Sequence, residues 1–194
     1  DVEPGKVVYT QWLNERGGIE ADLTIARINP ENFHVITSIS SLKRDWSHLN
    51  KNLNGNTNIS DITMDYACLS IQGPESRELL KRIIDTDLGN DHFLFGTGKY
   101  AKISDIEIWI QKLSYVGELG WELFIPSINA KEIYKAIKDE GQKYQIRDVG
   151  LHALNSLRLE KGYRHWGHDI AAEDNLIEAG LSFIAKQNAG DFIG

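Results

Sequence analysis

The sequence lacks several features that would place it in an easily recognised class. Its one cysteine, Cys68, can form no internal disulfide, which favours a reducing compartment, either a bacterial cytoplasm or the mitochondrial matrix. No apolar run approaches the roughly 20 residues that a membrane-spanning helix needs, and we find no secretory signal. The formal charge of −7 argues against nonspecific attraction to nucleic acid or to an anionic membrane.

The common catalytic signatures are also missing. The chain has no G-x-S-x-G elbow, no phosphate-binding glycine loop, no dinucleotide G-x-G-x-x-G and no histidine pair at helical spacing. Cys68 lies within an apolar run, so we expect a small buried thiol and not a nucleophile. His165, His168 and Asp169 could ligate a metal, but no third soft ligand lies nearby, so we expect a polar loop packed by Trp166 and no metal site.

The most informative stretch is NERGGIEADLTI, residues 14–25. A Gly-Gly pair precedes strict alternation, which is typical of a half-buried strand. The apolar face would carry Ile19, Ala21, Leu23 and Ile25, and the polar face Glu20, Asp22 and Thr24. Such a polar face either lines a cavity or faces solvent, and from the pattern alone solvent is the more common case.

The remaining pattern predicts an α+β fold, with a mixed, largely antiparallel sheet and flanking helices, because strands and helices alternate without a regular βαβ rhythm. Predicted strands cover 6–13, 19–25, 33–38, 65–72, 99–103, 106–113 and 121–125. Predicted helices cover 42–53, capped by Ser40 or Ser41, and 74–87, 129–143 and 150–161. In the last helix, Leu151, Leu154, Leu157 and Leu159 would point inward.

Four segments carry a resemblance to a known family. NERGGIEADLTI, YVGELGWELFIP, GLHALNSLRLEKGYRHWGHDI and DNLIEAGLSF, in this order, resemble the folate-binding domain of the glycine-cleavage T-protein (aminomethyltransferase) family. The third segment is closest to the version found in flavin-dependent dimethylglycine and sarcosine dehydrogenases. The resemblance implies one tetrahydrofolate-binding domain over residues 1–194, incomplete at both ends and without a separate second domain. It also implies FAD in a preceding domain that this chain lacks.

The resemblance assigns the catalytic role to Asp22. In the family, the acid at this position lies against the reactive nitrogens of the folate, where a carboxylate can accept a proton or stabilise a positive charge. Thr24 would point to the same face and bind the cofactor or orient Asp22. Glu20 would then be a surface residue.

Further cofactor-binding residues follow from the same matching. Tyr115 would border the pterin ring, unless it is an ordinary core aromatic. Glu122 would accept two N–H donors from the amino-pyrimidine edge of the pterin in a bidentate pair, with Leu123 and Phe124 beside it.

One segment departs from the family pattern. Leu154 stands where the free-standing aminomethyltransferase has an arginine that contacts folate. Arg158 is retained as a candidate folate ligand, but at helical spacing it could instead be a structural residue that pairs with Glu160 or another acid.

The resemblance therefore implies a one-carbon-transfer domain of a flavin-linked amine dehydrogenase. It would take the iminium or formaldehyde unit from an N-methylated glycine and form 5,10-methylenetetrahydrofolate. One alternative is a non-catalytic relative, similar to the regulatory subunit of pyruvate dehydrogenase phosphatase. Another is a folate-dependent aminomethyltransferase or demethylase that acts without flavin. The presence of Asp22 and Glu122 favours the enzyme, and the sequence does not indicate an oligomeric state.

Overall fold

The computed structural model describes residues 2–185, 190 and 192–194. Packing divides the chain into two compact units. One consists of Asp1–Lys6 with Asp61–Tyr163, and the other of Val7–Ser60 with Arg164–Gly194. The single domain expected over residues 1–194 stays a prediction. No helix in the described part of the chain is long and apolar enough to cross a membrane.

The unit formed by Val7–Ser60 and Arg164–Gly194 contains a three-stranded antiparallel sheet in the order β1-β2-β3. Its elements are β1 Val7–Leu13, β2 Ile19–Arg27, β3 Phe33–Ile36 and helix α1 Leu42–Asn52, with a short 3-10 helix at Ser182–Ile184. Strands β1 and β2 form a hairpin, in which the Asn14 backbone N–H donates to the Gly18 carbonyl across the turn. Gly17 adopts a positive φ of 79° there, which a residue with a Cβ resists.

Strand β2 alternates as its sequence predicts over most of its length. Ile19, Ala21 and Leu23 are buried, whereas Asp22 and Thr24 between and after them are half-buried. Cross-strand pairing shifts by one residue where Trp12 pairs with Ala21 and Leu13 with Ile19, so Glu20 lies in a bulge.

The chain segment after residue 164 completes the small core of this unit. Ile170, Ala179 and Leu181 pack with Ile19, and the Trp166 indole N–H donates to the Ile19 carbonyl at 2.7 Å. The Arg44 guanidinium lies 3.7 Å from the Trp166 ring centroid, so the ring also contacts α1. Trp166 is therefore a packing residue, as the sequence predicts.

The other unit contains a four-stranded antiparallel sheet in the order β4-β7-β6-β5. Its strands are β4 Tyr66–Gln72, β5 Gly98–Ile103, β6 Ile106–Gln111 and β7 Gly120–Pro126, and its helices are α2 Ser76–Leu80, α3 Ala130–Gly141 and α4 Leu151–Glu160. Short 3-10 helices lie at Ser127–Asn129 and Gln142–Tyr144. The largely antiparallel α+β architecture is confirmed.

One face of this sheet carries the larger core. Trp121, Leu123 and Ile125 of β7 are fully buried and pack against residues of α2, α3 and the neighbouring strands. The opposite face carries the alternate positions of β7, namely Gly120, Glu122 and Phe124. The sheet thus has an apolar face and a mixed polar and aromatic face.

The predicted helix 74–87 is wrong in its extent, since α2 ends at Leu80. The residues that follow form turns, and Ile84 makes an antiparallel bridge to Ile103 while the Asp85 N–H donates to the Lys102 carbonyl. The Ile84 N–H still bonds the Leu80 carbonyl, but from Asp85 onward a bond to β5 takes the place of the helical hydrogen bond that the sequence pattern favours.

The predicted inward face of the last helix is wrong in part. In α4, Leu154 and Leu157 are half-buried, but Leu151 and Leu159 are 83% and 61% exposed, and the one fully buried residue of the helix is Arg158. At the start of α1, Ser41 occupies the predicted cap position, but its hydroxyl donates to the Ser38 carbonyl and does not cap the helix.

Candidate functional site

Asp22 lies on the polar face of β2 and is held by β1. Gln11 is its direct cross-strand partner, and the Gln11 Nε2 donates to Asp22 Oδ1 at 2.6 Å. The Tyr9 side chain also hydrogen-bonds to Asp22. Two donors from one neighbouring strand therefore fix the orientation of this carboxylate.

The electrostatic setting of Asp22 favours proton transfer. Desolvation raises its pKa above the ordinary value of 3.8, while the bonds from Tyr9 and Gln11 and the charge of His165 oppose that rise. A carboxylate with a raised pKa is a stronger base than one in open water, and it is better matched to proton transfer near neutral pH.

Thr24 lies two residues along the same strand and is half-buried on the same face. Its cross-strand partner is Tyr9, one of the two residues that hold Asp22. Glu20 is held differently, because Asn14 Nδ2 donates to its Oε1 at 3.0 Å beside the hairpin turn. The structure therefore groups Thr24 with Asp22 and leaves Glu20 at the hairpin.

Glu122 lies on the polar face of β7, between Ser70 of β4 and Gln111 of β6 in the strand register. The Gln111 Nε2 donates to Glu122 Oε2 at 2.8 Å, and Gln111 Oε1 accepts from the Trp109 indole N–H at 3.1 Å. Desolvation raises the pKa of Glu122, and the bond from Gln111 opposes that rise. In the described part of the chain, Gln111 is the one side-chain donor to this carboxylate.

Phe124 and Leu123 lie on opposite faces of β7. Phe124 shares the face of Glu122 and is half-buried, with Cys68 as its cross-strand partner. Leu123 is 0% exposed and belongs to the core on the other face. The side chain of Phe124 can border a ligand held by Glu122, whereas that of Leu123 supports the strand from behind.

Cys68 differs from its prediction as a buried thiol. It is exposed on β4, because β4 is an edge strand and Cys68 lies on the face away from the core. Although the side chain reaches solvent, desolvation by the surrounding protein and then the charge of Glu122 raise the pKa of its thiol to about 12. The thiol stays protonated at neutral pH and is a poor nucleophile, as the sequence predicts.

Tyr115 lies in the loop between β6 and β7 and stacks on Tyr163, with ring centroids 6.4 Å apart and planes inclined by 22°. Both tyrosines are partly accessible. The loop that carries Tyr115 ends at Gly120, the first residue of β7. A Cβ at Gly120 would lie 2.4 Å from the Ile71 carbonyl oxygen of β4. The close approach of β4 explains the glycine, and it fixes where β7 begins.

Arg158 of α4 is buried, and its guanidinium forms hydrogen bonds with nearby residues. Its Nε and Nη2 donate to Asn155 Oδ1 at 2.8 and 2.5 Å, and its Nη1 donates to the Tyr163 carbonyl at 2.8 Å. Arg158 thereby ties the C-terminal end of α4 to the residue that stacks on Tyr115. Glu160, the acid expected as its partner, is exposed.

The histidines of the RHWGHD segment form a surface cluster. The rings of His165 and His168 stack at 5.8 Å, and His168 Nδ1 lies 2.9 Å from Asp169 Oδ1. Among the residues that the structure describes, no three His, Cys, Asp or Glu side chains are grouped so as to hold a metal ion.

Sequence reasoning missed the residues that hold the two carboxylates. Gln11 and Gln111 are each the cross-strand partner of a predicted site acid and donate to it, and both are buried, at 9% and 0% exposure. The one clue in the sequence was that each glutamine lies on a strand expected to neighbour the strand of the acid. The sequence does not specify which residues on the two strands pair, so this clue could not identify the glutamines.

Comparison with known proteins gives the family. Residues 1–189 match the GCVT N-terminal domain. The chain belongs to this family. It is 37% identical over 199 residues to mitochondrial sarcosine dehydrogenase from Homo sapiens, covering 94% of this chain and 22% of that protein. It is 38% identical over 196 residues to mitochondrial dimethylglycine dehydrogenase from Mus musculus, covering 97% and 23%.

A solved structure confirms the GCVT fold. The crystal structure of glycine cleavage system aminomethyltransferase T from Bartonella henselae superposes with a TM-score of 0.80 at 28% identity, covering 96% of this chain and 49% of that one. The chain is an aminomethyltransferase-type domain related to sarcosine and dimethylglycine dehydrogenases. It spans less than a quarter of the length of the two dehydrogenases.

Proposed function

We propose that this chain binds tetrahydrofolate and forms the one-carbon-transfer part of a flavin-dependent dimethylglycine or sarcosine dehydrogenase. The observation that carries the proposal is Asp22, a half-buried carboxylate with a raised pKa at the position that the family resemblance makes catalytic. A residue on a merely solvated strand face would remain hydrated and would need neither the Gln11 nor the Tyr9 hydrogen bond.

Asp22 acts as the base in this proposal. When bound, tetrahydrofolate supplies the nucleophilic nitrogens that take up the one-carbon unit, and the product is 5,10-methylenetetrahydrofolate. Asp22 accepts the proton that a nitrogen loses, and its negative charge stabilises positive charge that develops nearby. Gln11 and Tyr9 hold the carboxylate in place, and Thr24 offers a hydroxyl on the same face.

Glu122 binds the pterin in this proposal. Gln111 occupies its Oε2, and the carboxylate retains acceptor capacity for the paired N–H donors of an amino-pyrimidine edge. Phe124 lies on the same face and Tyr115 at the neighbouring loop, where either ring can stack on a flat heterocycle. Leu123 contributes by packing behind the strand, and Arg158 by holding the loop that carries Tyr163.

The coupling to a flavin-dependent oxidation is the more specific part of the proposal, and it rests on the similarity to the two dehydrogenases. The FAD domain would lie outside this chain and would oxidise an N-methylated glycine, in a bacterial cytoplasm or the mitochondrial matrix. The alternatives are a flavin-independent aminomethyltransferase or demethylase, favoured by the Bartonella henselae match, and a non-catalytic regulatory relative. Two partly desolvated carboxylates, each with a raised pKa, favour a catalytic protein over a purely regulatory one.

The test is a titration of the full-length protein with tetrahydrofolate. Glu122→Ala should weaken binding by about tenfold or more, because a charge-assisted bidentate contact is lost. Asp22→Ala should reduce methylene transfer by about 100-fold, the lower range for a general base. Glu20→Gln and Glu118→Gln are controls, since each removes the charge of an acid that has its own partner, Asn14 for Glu20 and Lys161 for Glu118. Unchanged binding in the first variant together with unchanged transfer in the second would overturn the assignment.

A further inference from the structure

A buried hydrogen-bonded series runs along the polar face of the four-stranded sheet and ends at Glu122. Trp109 is 2% exposed and Gln111 is 0% exposed, and both lie on β6 beside β7. The indole N–H donates to Gln111 Oε1 at 3.1 Å, and Gln111 Nε2 donates to Glu122 Oε2 at 2.8 Å. Glu122 is the last of the three and the only one partly open to solvent.

The chemistry of the three groups fixes the direction of the series. An indole N–H can only donate, so the Gln111 atom that faces Trp109 must be the carbonyl oxygen. The amide nitrogen then faces Glu122, and an ionised carboxylate is the acceptor that suits it. Reversing the Gln111 amide would set two donors against each other at Trp109 and two acceptors against each other at Glu122, and both Trp109 and Gln111 are buried.

We propose that Gln111 is a positioning residue that keeps the carboxylate of Glu122 ionised and fixed in orientation for an amino-pyrimidine edge, and that Trp109 sets the orientation of Gln111. The proposal rests on the proposed folate-binding role of Glu122 and adds the source of its charge state. A protonated Glu122 would present an O–H donor to the N–H donors of the ligand and would repel one of them.

The charge state of Glu122 depends on the groups around it. Desolvation favours its neutral form, and the Gln111 amide favours its ionised form. On the β4 side the neighbouring titratable group is Cys68, whose thiol pKa of about 12 leaves it neutral. On the β6 side the partner is Gln111, which does not titrate. The Gln111 donor is therefore the contact that opposes desolvation and limits the rise in the pKa of Glu122.

The experiment compares tetrahydrofolate binding across pH in the full-length protein and its variants. Gln111→Glu retains an acceptor for Trp109 but sets a second carboxylate beside Glu122. We expect about tenfold weaker binding at pH 7, and a pH profile in which the loss of binding on acidification begins at higher pH than in the wild type. Gln111→Met, a neutral side chain of similar length without a donor, should shift the profile in the same direction.

Two further variants separate the orientation of the Gln111 amide from the effect of an added charge elsewhere on the unit. Trp109→Phe leaves the Gln111 amide free to rotate, so binding should weaken by about threefold with a smaller shift of the profile. Gln142→Glu makes the same chemical change on the exposed surface of this unit and should leave both readouts unchanged.

The outcomes separate this proposal from the one it rests on. If Glu122→Ala binds tetrahydrofolate like the wild type, then the folate-binding role of Glu122 and the positioning role of Gln111 both fail. If Glu122→Ala weakens binding while folded Gln111→Glu and Gln111→Met keep the wild-type affinity and pH profile, the role of Gln111 alone is overturned. If both Gln111 variants bind more weakly without a change in the profile, Gln111 is only structural, and the proposal also fails.

Discussion

At the scale of single residues, Asp22 has a cost in stability that accompanies the chemical role proposed for it. Its pKa is raised above 3.8, chiefly by desolvation, so the folded protein binds this proton more tightly than the unfolded chain does. The free energy of unfolding must then fall as pH rises from the ordinary pKa to the raised one, and it stays lower above that window. An ionised Asp22 is therefore a destabilising group at neutral pH.

We predict that Asp22→Asn stabilises the protein while it abolishes the base. The neutral amide can still accept a hydrogen bond from Gln11, and the free energy of unfolding at pH 7 should rise by about 1 kcal/mol. The gain should vanish below the ordinary pKa of 3.8, where Asp22 is protonated in both states. Urea unfolding at the two pH values measures it, with Glu20→Gln as the control. A loss of stability at pH 7 would contradict the prediction.

Cys68 reports on Glu122. Because its thiol pKa is about 12, it should react with iodoacetamide at pH 8 roughly 10- to 100-fold more slowly than a free cysteine, although it is exposed. Glu122→Gln removes the charge that contributes to the raised pKa, so alkylation should become faster. Mass spectrometry of timed samples gives both rates. Ser70→Ala, next to Cys68 on the same strand face but uncharged, is the control, and an equal acceleration there would argue against the electrostatic explanation.

Asp22 and Glu122 could be named as candidate site acids from sequence and stay predictions in that role, whereas the residues that hydrogen-bond to them could not be named. Asp22 and Glu122 stand in motifs specific enough to carry a role by resemblance. Gln11 and Gln111 stand in ordinary strand patterns, where a glutamine on the polar face usually means solvent. The contact of each glutamine with an acid depends on which residue lies opposite it on the neighbouring strand, and a single sequence does not specify cross-strand register.

At the scale of secondary-structure elements, the local sequence pattern predicted which helices and strands exist better than it predicted where each one ends. The antiparallel strands lie where β-branched and alternating residues place them, within a few residues at each end. Helix α2 ends early because a bridge between Ile84 and Ile103 competes with helical hydrogen bonds. Leu151 and Leu159 of α4 are exposed although the spacing of its leucines is helical, because such spacing indicates a helix and does not indicate what covers it.

Arg158 decides the stability of the end of α4. We predict that Arg158→Lys lowers the free energy of unfolding by about 1 to 3 kcal/mol, because a lysine cannot bond Asn155 and the Tyr163 carbonyl with one planar group and leaves buried acceptors unsatisfied. Arg147→Lys, at an exposed position, is the matched control.

The same variant tests the folate role of Arg158. If Arg158 only supports α4, tetrahydrofolate affinity measured well below the unfolding temperature should change less than threefold. A loss of affinity without a loss of stability would instead favour direct contact with the ligand, as the family resemblance originally implied for this helix.

At the scale of the whole molecule, the fold class could be predicted and the division into two units could not. Alternation of strands and helices indicated an α+β protein, and a short connection explains the antiparallel pairing of consecutive strands such as β5 and β6. Each unit, however, joins distant parts of the chain: β4 pairs with β7, and Gly18 bridges Asn175. Such long-range choices depend on the packing of complete surfaces, which local residue patterns do not encode.

The proposed activity predicts how the full-length protein divides its one-carbon product. With sarcosine or dimethylglycine and tetrahydrofolate, the wild type should form 5,10-methylenetetrahydrofolate, and without tetrahydrofolate it should release formaldehyde. Asp22→Asn should oxidise the amine at the wild-type rate, because oxidation takes place in another domain, but its yield of the folate product should fall by about 100-fold. Formaldehyde should rise by the equivalent amount.

Simultaneous assays of amine consumption, formaldehyde and the folate product measure that division, and Glu20→Gln should behave like the wild type because its carboxylate lies at the hairpin with Asn14. If Asp22→Asn keeps the wild-type yield of the folate product, Asp22 is not the base. If the wild type transfers a one-carbon unit to tetrahydrofolate but consumes no amine by oxidation, the flavin-independent aminomethyltransferase or demethylase replaces the dehydrogenase. If it does neither and still binds tetrahydrofolate, the regulatory relative remains, and the raised pKa values of its two carboxylates would then reflect desolvation alone.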